Sequence, residues 1–76
     1  MKWNKNKNGL PEVNFAVEVM LENDEITWDA VQFVNHQYIW EKYQGRIKYW
    51  RYASTMDWVM AMRAKNERLS ALMPNW

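Results

Sequence analysis

Aromatic density constrains the fold of this chain more than any other feature of its sequence. Six tryptophans, four tyrosines and two phenylalanines occur in only 76 residues, and cysteine is absent. Each large ring buries roughly 150–250 Å², whereas a domain of about this size buries only about 60% of its unfolded surface. Because no disulfide can compensate for a small core, we expect aromatic rings to build that core and some of them to contact a partner.

The length predicts a single small domain, residues 1–76, that opens with a basic segment rich in asparagine and lysine, residues 1–9. No stretch approaches the roughly 20 apolar residues that a membrane-spanning helix needs. No apolar segment of the signal-peptide type follows the basic start. These features predict a cytoplasmic protein that does not enter a membrane.

Formal charge is segregated along the chain, although the net charge is only +1. Residues 1–8 contain three lysines and no acid, residues 9–41 contain seven acids and no base, and residues 42–76 contain seven bases and two acids. Such segregation predicts opposing surface patches that steer association with a charged partner. The alternative is that the acidic segment neutralises the basic ones within the fold.

The stretch from residue 12 to residue 22 matches two periodicities equally well. A helical face would collect Val13, Ala16, Val17, Met20 and Leu21, and a strand face would collect Val13, Phe15, Val17, Val19 and Leu21. The valines favour a strand. The length of the stretch and the proline before it favour a helix, and a helix is our prediction here.

The next stretch also predicts a helix, from Trp28 to Tyr43. Thr27 can cap it, Asp29 falls in its first turn, and side chains recur at helical spacing: Ala30, Phe33, Val34, Gln37 and Trp40. Gly45 would end this helix in a left-handed conformation. A longer helix reaching about Tyr52 and a strand over residues 46–52 are the competing interpretations.

The last helix has the clearest sequence signals. Ser54 is predicted to cap it, with Asp57 three residues further on as in a capping box. Its apolar face is predicted to include Val59, Met62, Leu69 and Met73, and Pro74 would end it.

Together these segments predict an all-α fold of three or four helices. The alternative is an α+β fold with short strands at residues 12–21 and 46–52. We favour the helical fold because that alternative offers only two parallel strands, and a two-stranded sheet is rarely stable alone.

No residue pattern indicates catalysis, a cofactor or a metal. His36 is the only histidine and has no second ligand at metal-binding spacing. The acids Glu18, Glu22 and Glu25 lack the glycine-containing loop of a calcium site. Gly9 and Gly45 are the only glycines, so no phosphate-binding loop is present. We therefore predict a protein that is not an enzyme, with no catalytic, cofactor-binding or metal-binding residues.

The segment from residue 42 to residue 52 is the strongest candidate for a binding site. Flat rings and bases interleave here, as they do in protein interfaces and in single-strand nucleic-acid sites. The predicted partner-binding residues are Trp40, Tyr43, Arg46, Lys48, Tyr49, Trp50, Arg51 and Tyr52. Trp50 is predicted to be the anchor in a partner pocket, and the competing interpretation places it in the core.

These features predict a small protein-binding protein, an inhibitor or adaptor that docks on a larger protein or assembly. Small size, missing catalytic motifs and an aromatic surface are typical of the accessory proteins with which phages inhibit a host machine, which would place the chain in the host cytoplasm. The alternative is a small nucleic-acid-binding protein that uses residues 42–52. A third possibility is a structural subunit or obligate homo-oligomer that packs its aromatic side chains against copies of itself.

Overall fold

The computed structural model describes residues 2–72 of the chain, with side chains described through Glu67. This part of the chain forms six strands, one short 3₁₀ turn and one long helix. The elements are β1 (Asn4–Lys5), the 3₁₀ turn (Asn6–Asn8), β2 (Val17–Leu21), β3 (Ile26–Asp29), β4 (Val31–Val34), β5 (Gln37–Trp40), β6 (Ile47–Arg51) and α1 (Thr55–Leu72). The predicted all-α fold is therefore wrong.

The strands form two antiparallel sheets. One sheet has four strands in the order β1-β6-β2-β3, and the other is the hairpin of β4 and β5. Antiparallel neighbours need only short turns between them, so consecutive strands along the chain can pair. Residues 12–21 and 46–52 do not form an isolated parallel pair, which would be unstable. They contain β2 and β6, which are antiparallel to each other and lie at the centre of a larger sheet.

The predicted helix at residues 12–22 is wrong because burial follows the two-residue period of a strand. Val17, Val19 and Leu21 are at most 1% exposed, and the residues between them are only half-buried. Both periodicities fit the sequence, so neighbouring strands decide between them. Valine side chains pack well on a pleated surface, and β2 has a strand on each side.

The predicted helix from Trp28 to Tyr43 is also wrong, because this stretch contains the end of β3 and the whole β4–β5 hairpin. The hairpin turns at Asn35 and His36, whose φ angles are 51° and 65°. Two consecutive positive φ angles are those of a type I′ turn, which matches the twist of antiparallel strands. Gly45 does adopt a left-handed conformation, with φ 83°, but it lies in the turn between β5 and β6.

The two sheets meet at Asp29, a carboxylate that is only 3% exposed. Its Oδ1 accepts the backbone N–H of Ala30 at 2.7 Å and that of Lys42 at 3.0 Å, and its Oδ2 accepts the N–H of Tyr43 at 2.9 Å. The carbonyl of Ala30 accepts the N–H of Glu41 at 2.9 Å. These bonds hold the end of β3 against the turn that follows β5.

The core lies between the four-stranded sheet and the segments that cover its inner face. Its members are mainly aliphatic and aromatic: Val17, Val19, Leu21, Val31, Trp40, Ile47, Trp50, Tyr52 and Ala61. Val13, Phe15 and Tyr43 pack against this cluster. Three of these nine core residues are aromatic, so large rings take part in the core, as the sequence predicts.

The predicted last helix is confirmed as α1. Ser54 Oγ accepts the N–H of Asp57 at 3.2 Å, which is the predicted cap. Ala61 is fully buried, whereas Val59 and Met62 are only half-buried. The side chain of Leu69 and the residues Met73 and Pro74 lie outside what the structure describes. Within residues 2–72, no helix has both the length and the apolar character needed to cross a membrane.

Candidate partner-binding surface

The structure divides the eight predicted binding residues between the core and the surface. Trp40, Trp50 and Tyr52 are in the core, with exposed fractions of 3%, 7% and 5%. The expectation that Trp50 faces solvent is wrong, and its competing assignment to the core is the one that the structure shows. The remaining residues are half-buried or exposed and stay predicted contact residues: Tyr43, Arg46, Lys48, Tyr49 and Arg51.

A β-bulge in β6 decides which of these side chains face inward. Ile47 lies opposite Leu21, but Tyr49 lies opposite Met20, so the register shifts at Lys48. An extra residue of this kind reverses the side-chain alternation beyond it. Trp50 consequently points into the core opposite Val19, and Tyr49 and Arg51 point to the other side of the sheet.

The residues on that other side form a surface that we call the outer sheet face. They alternate along their strands with buried residues or lie opposite one another in the register. The outer sheet face consists of Trp3, Lys5, Glu18, Met20, Ile26, Trp28, Tyr49 and Arg51. Only Tyr49 and Arg51 belong to the set that the sequence predicted.

One row across the outer sheet face is organised around Arg51. Its Nη2 donates to Glu18 Oε2 at 3.3 Å, and its guanidinium carbon lies 4.2 Å from the centre of the Trp3 ring. The ion pair and the cation–π contact hold Arg51 in place from two sides. Trp28 follows Glu18 in the same row on β3 and is 49% exposed.

The second row is mostly apolar. Met20 lies between Tyr49 on β6 and Ile26 on β3, and Ile26 is 53% exposed. Lys48 flanks this row, with its Nζ 5.7 Å from the centre of the Tyr49 ring and 2.7 Å from Asp24 Oδ1. The hydrogen bond to Asp24 raises the pKa of Lys48 above its usual value.

Two of the bases on and beside the outer sheet face are paired with acids. Arg51 is paired with Glu18, and Lys48 is paired with Asp24. At these two places the acidic segment neutralises the basic one within the fold. Lys5 lies opposite Tyr49 and makes no ion pair within the described residues. The surface is therefore aromatic and apolar rather than strongly basic.

Sequence reasoning missed four large side chains of this face: Trp3, Met20, Ile26 and Trp28. The available signal was the two-residue period of residues 12–21. If the stretch is a strand, this period places Met20 on the side of the strand that faces away from the valines. For Trp28, no signal in the sequence separates a solvent-facing ring from a buried one. Its position depends on pairing with β2, which is a tertiary property.

Two smaller groups of exposed apolar side chains lie elsewhere on the molecule. At the hairpin, the Phe33 and Tyr38 rings are 4.8 Å apart, and His36 meets Phe33 edge-on at 6.4 Å. On α1, Met56 and Met60 share one side, but Trp58 projects from another because it is two residues from each. Neither area joins several elements as the outer sheet face does.

A cleft of about 320 Å³ lies between the N-terminal segment, the hairpin and the helix. Its lining includes the ring of Tyr38 and the side chains of Met62 and Lys65. Among the described residues, no three histidine, cysteine or acidic side chains are grouped to hold a metal ion.

Comparisons with protein-family models, with curated proteins and with solved structures find no match to this chain.

Proposed function

We propose that this chain is a small non-enzymatic binding protein that docks on a larger protein through the outer sheet face. The observation that carries the proposal is the exposure of large apolar side chains, Ile26 and Trp28, on a sheet face where Arg51 and Glu18 are already paired with each other. A solvent-facing tryptophan and isoleucine side by side are an association site or an aggregation liability.

The composition of the face favours a protein partner. Tryptophan, tyrosine and arginine are the residue types enriched at binding hot spots. Arg51 is already held by Trp3 and Glu18, so little side-chain entropy remains for a partner to remove. The face is built mainly on strands, which hold a binding site more precisely than loops do.

A nucleic-acid partner is the second candidate, and Lys5 beside the Tyr49 and Trp3 rings is the observation that favours it. Rings of this kind can stack on bases while lysines neutralise phosphates. Two features make it the weaker candidate. The other bases of the face are paired with acids, and Met20 and Ile26 offer no flat surface for stacking. The inhibitor or adaptor role that we expect remains a hypothesis within the protein-docking proposal.

Capture from a cytoplasmic extract, with and without nuclease, tests the proposal. We expect wild-type chain to retain one protein after nuclease treatment and Trp28→Ala to bind it at least about 30-fold more weakly, since truncating a hot spot costs about 2 kcal/mol or more. Thermal melting of Trp28→Ala should stay close to that of the wild type, because the ring is 49% exposed.

Two control variants separate the loss of this surface from the loss of other tryptophans. Trp58→Ala removes a tryptophan of similar exposure, 45%, from α1 and should leave binding intact. Trp50→Ala removes a core ring and should lower the free energy of unfolding by about 3–5 kcal/mol. Equal losses of binding in Trp58→Ala and Trp28→Ala would contradict the assignment of the face. Loss of capture after nuclease would favour the nucleic-acid alternative.

A further inference from the structure

Strand β3 is an open edge of the four-stranded sheet. The strand order ends with β3 on one side and with the two-residue β1 on the other. An edge strand presents unpaired backbone groups that can pair with another strand. Proteins usually protect such an edge with lysine, proline or a bulge, and β3 contains none of these.

The register shows which backbone groups of β3 face outward. Leu21 N–H donates to the Glu25 carbonyl at 2.9 Å, so this pair is hydrogen-bonded. In an antiparallel ladder, hydrogen-bonded and non-hydrogen-bonded pairs alternate. Thr27 lies opposite Val19, and its backbone N–H and C=O groups therefore form hydrogen bonds with β2. The N–H and C=O groups of Ile26 and Trp28 point away from β2, toward the open edge.

The edges of the β4–β5 hairpin differ from the β3 edge, because other segments of the chain form hydrogen bonds with part of them. The Val31 carbonyl accepts the N–H of Asn14 at 2.8 Å. The Trp40 N–H donates to Gln44 Oε1 at 2.7 Å. Within the described residues, the β3 edge has no comparable cover, and the exposed side chains of Ile26 and Trp28 lie directly beside it.

Charge along the edge decides what kind of strand fits there. Glu22 and Glu25 are exposed beside the Ile26 end and make no ion pair within the described residues. If a second copy paired its β3 in the antiparallel register that matches Ile26 to Trp28, Glu25 would lie opposite Asp29 of the copy. Like charges directly opposite destabilise such a pair, so a segment with lysine or arginine suits this edge better.

We propose that the β3 edge captures an extended, basic segment of the partner protein as a fifth strand of the sheet. The inference rests on the proposed function, since the added strand would extend the outer sheet face. Main-chain hydrogen bonds to Ile26 and Trp28 would provide affinity, and alternate side chains would provide specificity. We expect apolar side chains where the added strand meets Ile26 and Trp28, and a lysine or arginine near Glu25.

Amide hydrogen exchange measured by NMR on the full chain tests this mode of binding. The probe is a blocked synthetic peptide of about eight residues that alternates valine and threonine and carries a lysine at each end. At millimolar peptide, we expect exchange of the Ile26 and Trp28 amides to slow at least about tenfold, since both become hydrogen-bonded. The Thr27 amide, which is already bonded to β2, should change little.

Two control peptides separate strand pairing from unspecific contact. A version with consecutive amides N-methylated is blocked along both of its edges, so it cannot pair as a strand and should give no protection. A version with glutamate in place of lysine should bind at least about threefold more weakly at low salt, because it meets Glu22 and Glu25 with like charge. Unchanged Ile26 and Trp28 exchange with the lysine peptide, or equal binding of the glutamate peptide, would overturn the proposal.

Variants of Ile26 provide a second measurement on the captured complex. Ile26→Ala keeps the outward N–H, whereas Ile26→Pro removes it at an edge position where proline is tolerated. If both variants melt as folded proteins, Ile26→Pro should weaken binding clearly more than Ile26→Ala, and equal binding would reject strand addition. Protection of Ile26 and Trp28 that rises with protein concentration alone would assign the edge to a second copy and reject the basic partner segment.

The two proposals fail in different ways. If Trp28→Ala weakens capture but the Ile26 and Trp28 amides stay unprotected in the complex, docking through the face stands and strand addition is rejected. If the amides are protected while Trp28→Ala binds normally, the edge is the binding site and the docking role of the outer sheet face is rejected.

Discussion

Asp29 shows how a single residue can organise a fold in a way that its local sequence conceals. Asp29 lies two residues after Thr27, the predicted helix cap. An acid at that position is typical of the first turn of a helix, where negative charge is favoured. In the structure its carboxylate is 3% exposed and accepts backbone N–H groups from three residues. A buried carboxylate is tolerated because those donors replace the water that it loses.

At the residue scale, we expect Asp29→Ala to lower the free energy of unfolding by about 3 kcal/mol or more. The substitution removes hydrogen bonds to a charged acceptor, each worth about 1.5–3 kcal/mol, and leaves backbone N–H groups of the turn without a partner. Urea denaturation provides the measurement. Asp24→Asn, which removes the charge of the exposed ion pair with Lys48 and keeps a residue type that tolerates the positive φ of residue 24, is the control and should leave the midpoint nearly unchanged. Equal midpoints for the two variants would contradict the organising role of Asp29.

Among the elements, the β4–β5 hairpin depends most on its turn. Asn35 and His36 both have positive φ, a region that residues other than glycine seldom occupy, although asparagine and histidine do so more often than most. The hairpin registers Val34 against Gln37 and extends to Val31 against Trp40, so the turn aligns a buried valine with a buried tryptophan. A strained turn is retained because this pairing depends on it.

At the element scale, we expect His36→Gly to stabilise the chain by about 0.5–1 kcal/mol. A left-handed conformation costs a residue with a Cβ about 1–2 kcal/mol, and the greater freedom of glycine in the unfolded chain cancels part of that gain. The measurement is the thermal melting temperature. Gln37→Gly, on the adjacent strand where φ is not positive, should lower it. A melting temperature that falls in both variants would show that the turn stores no strain.

Over the whole molecule, the N-terminal segment is held by the polar groups of three core aromatics. Trp40 Nε1–H donates to Asn6 Oδ1 and Trp50 Nε1–H donates to the Gly9 carbonyl, both at 2.9 Å. The Tyr52 hydroxyl accepts the Glu12 N–H at 3.0 Å. The aromatic rings therefore fill the core and also close it, which a molecule only 18 Å across its short axis requires.

At the scale of the whole molecule, we expect stability to fall above about pH 10 through Tyr52. Burial of its hydroxyl raises the pKa of Tyr52 above the ordinary value near 10. Above that pH, the unfolded chain loses the tyrosine proton while the folded chain still holds it, so the free energy of unfolding declines as pH rises toward the folded pKa.

Tyr52→Phe isolates this contribution. Near pH 8 it should cost about 1 kcal/mol through the lost hydrogen bond with Glu12 N–H. Near pH 11 the free energy of unfolding of the variant should lie closer to that of the wild type, because the variant lacks the titrating group. Urea denaturation at both pH values measures the difference. A difference that is constant with pH would show that burial of the hydroxyl does not couple to folding.

Sequence reasoning succeeded where the signal is local. Ser54 and Asp57 predict the start of α1 from a side chain and a backbone group three residues apart, and the structure contains that hydrogen bond. Gly45 has the predicted left-handed conformation, which glycine adopts without strain, but it lies in a turn between strands and not at the predicted helix end. The strands were not predictable in this way, since residues 12–21 satisfy helical and strand periods equally and the choice depends on partners distant in the chain.

The sequence by itself determined that the chain must use aromatic rings for its core and that a capped helix follows residue 54. The tertiary structure alone decided which rings serve the core and which face outward. One bulge at Lys48 turns Trp50 inward and Tyr49 and Arg51 outward, and pairing with β2 places Trp28 on the same outer sheet face. Side chains alternate between the two sides of a strand, so a shift of one residue exchanges core for surface, and no local property of the sequence records that shift.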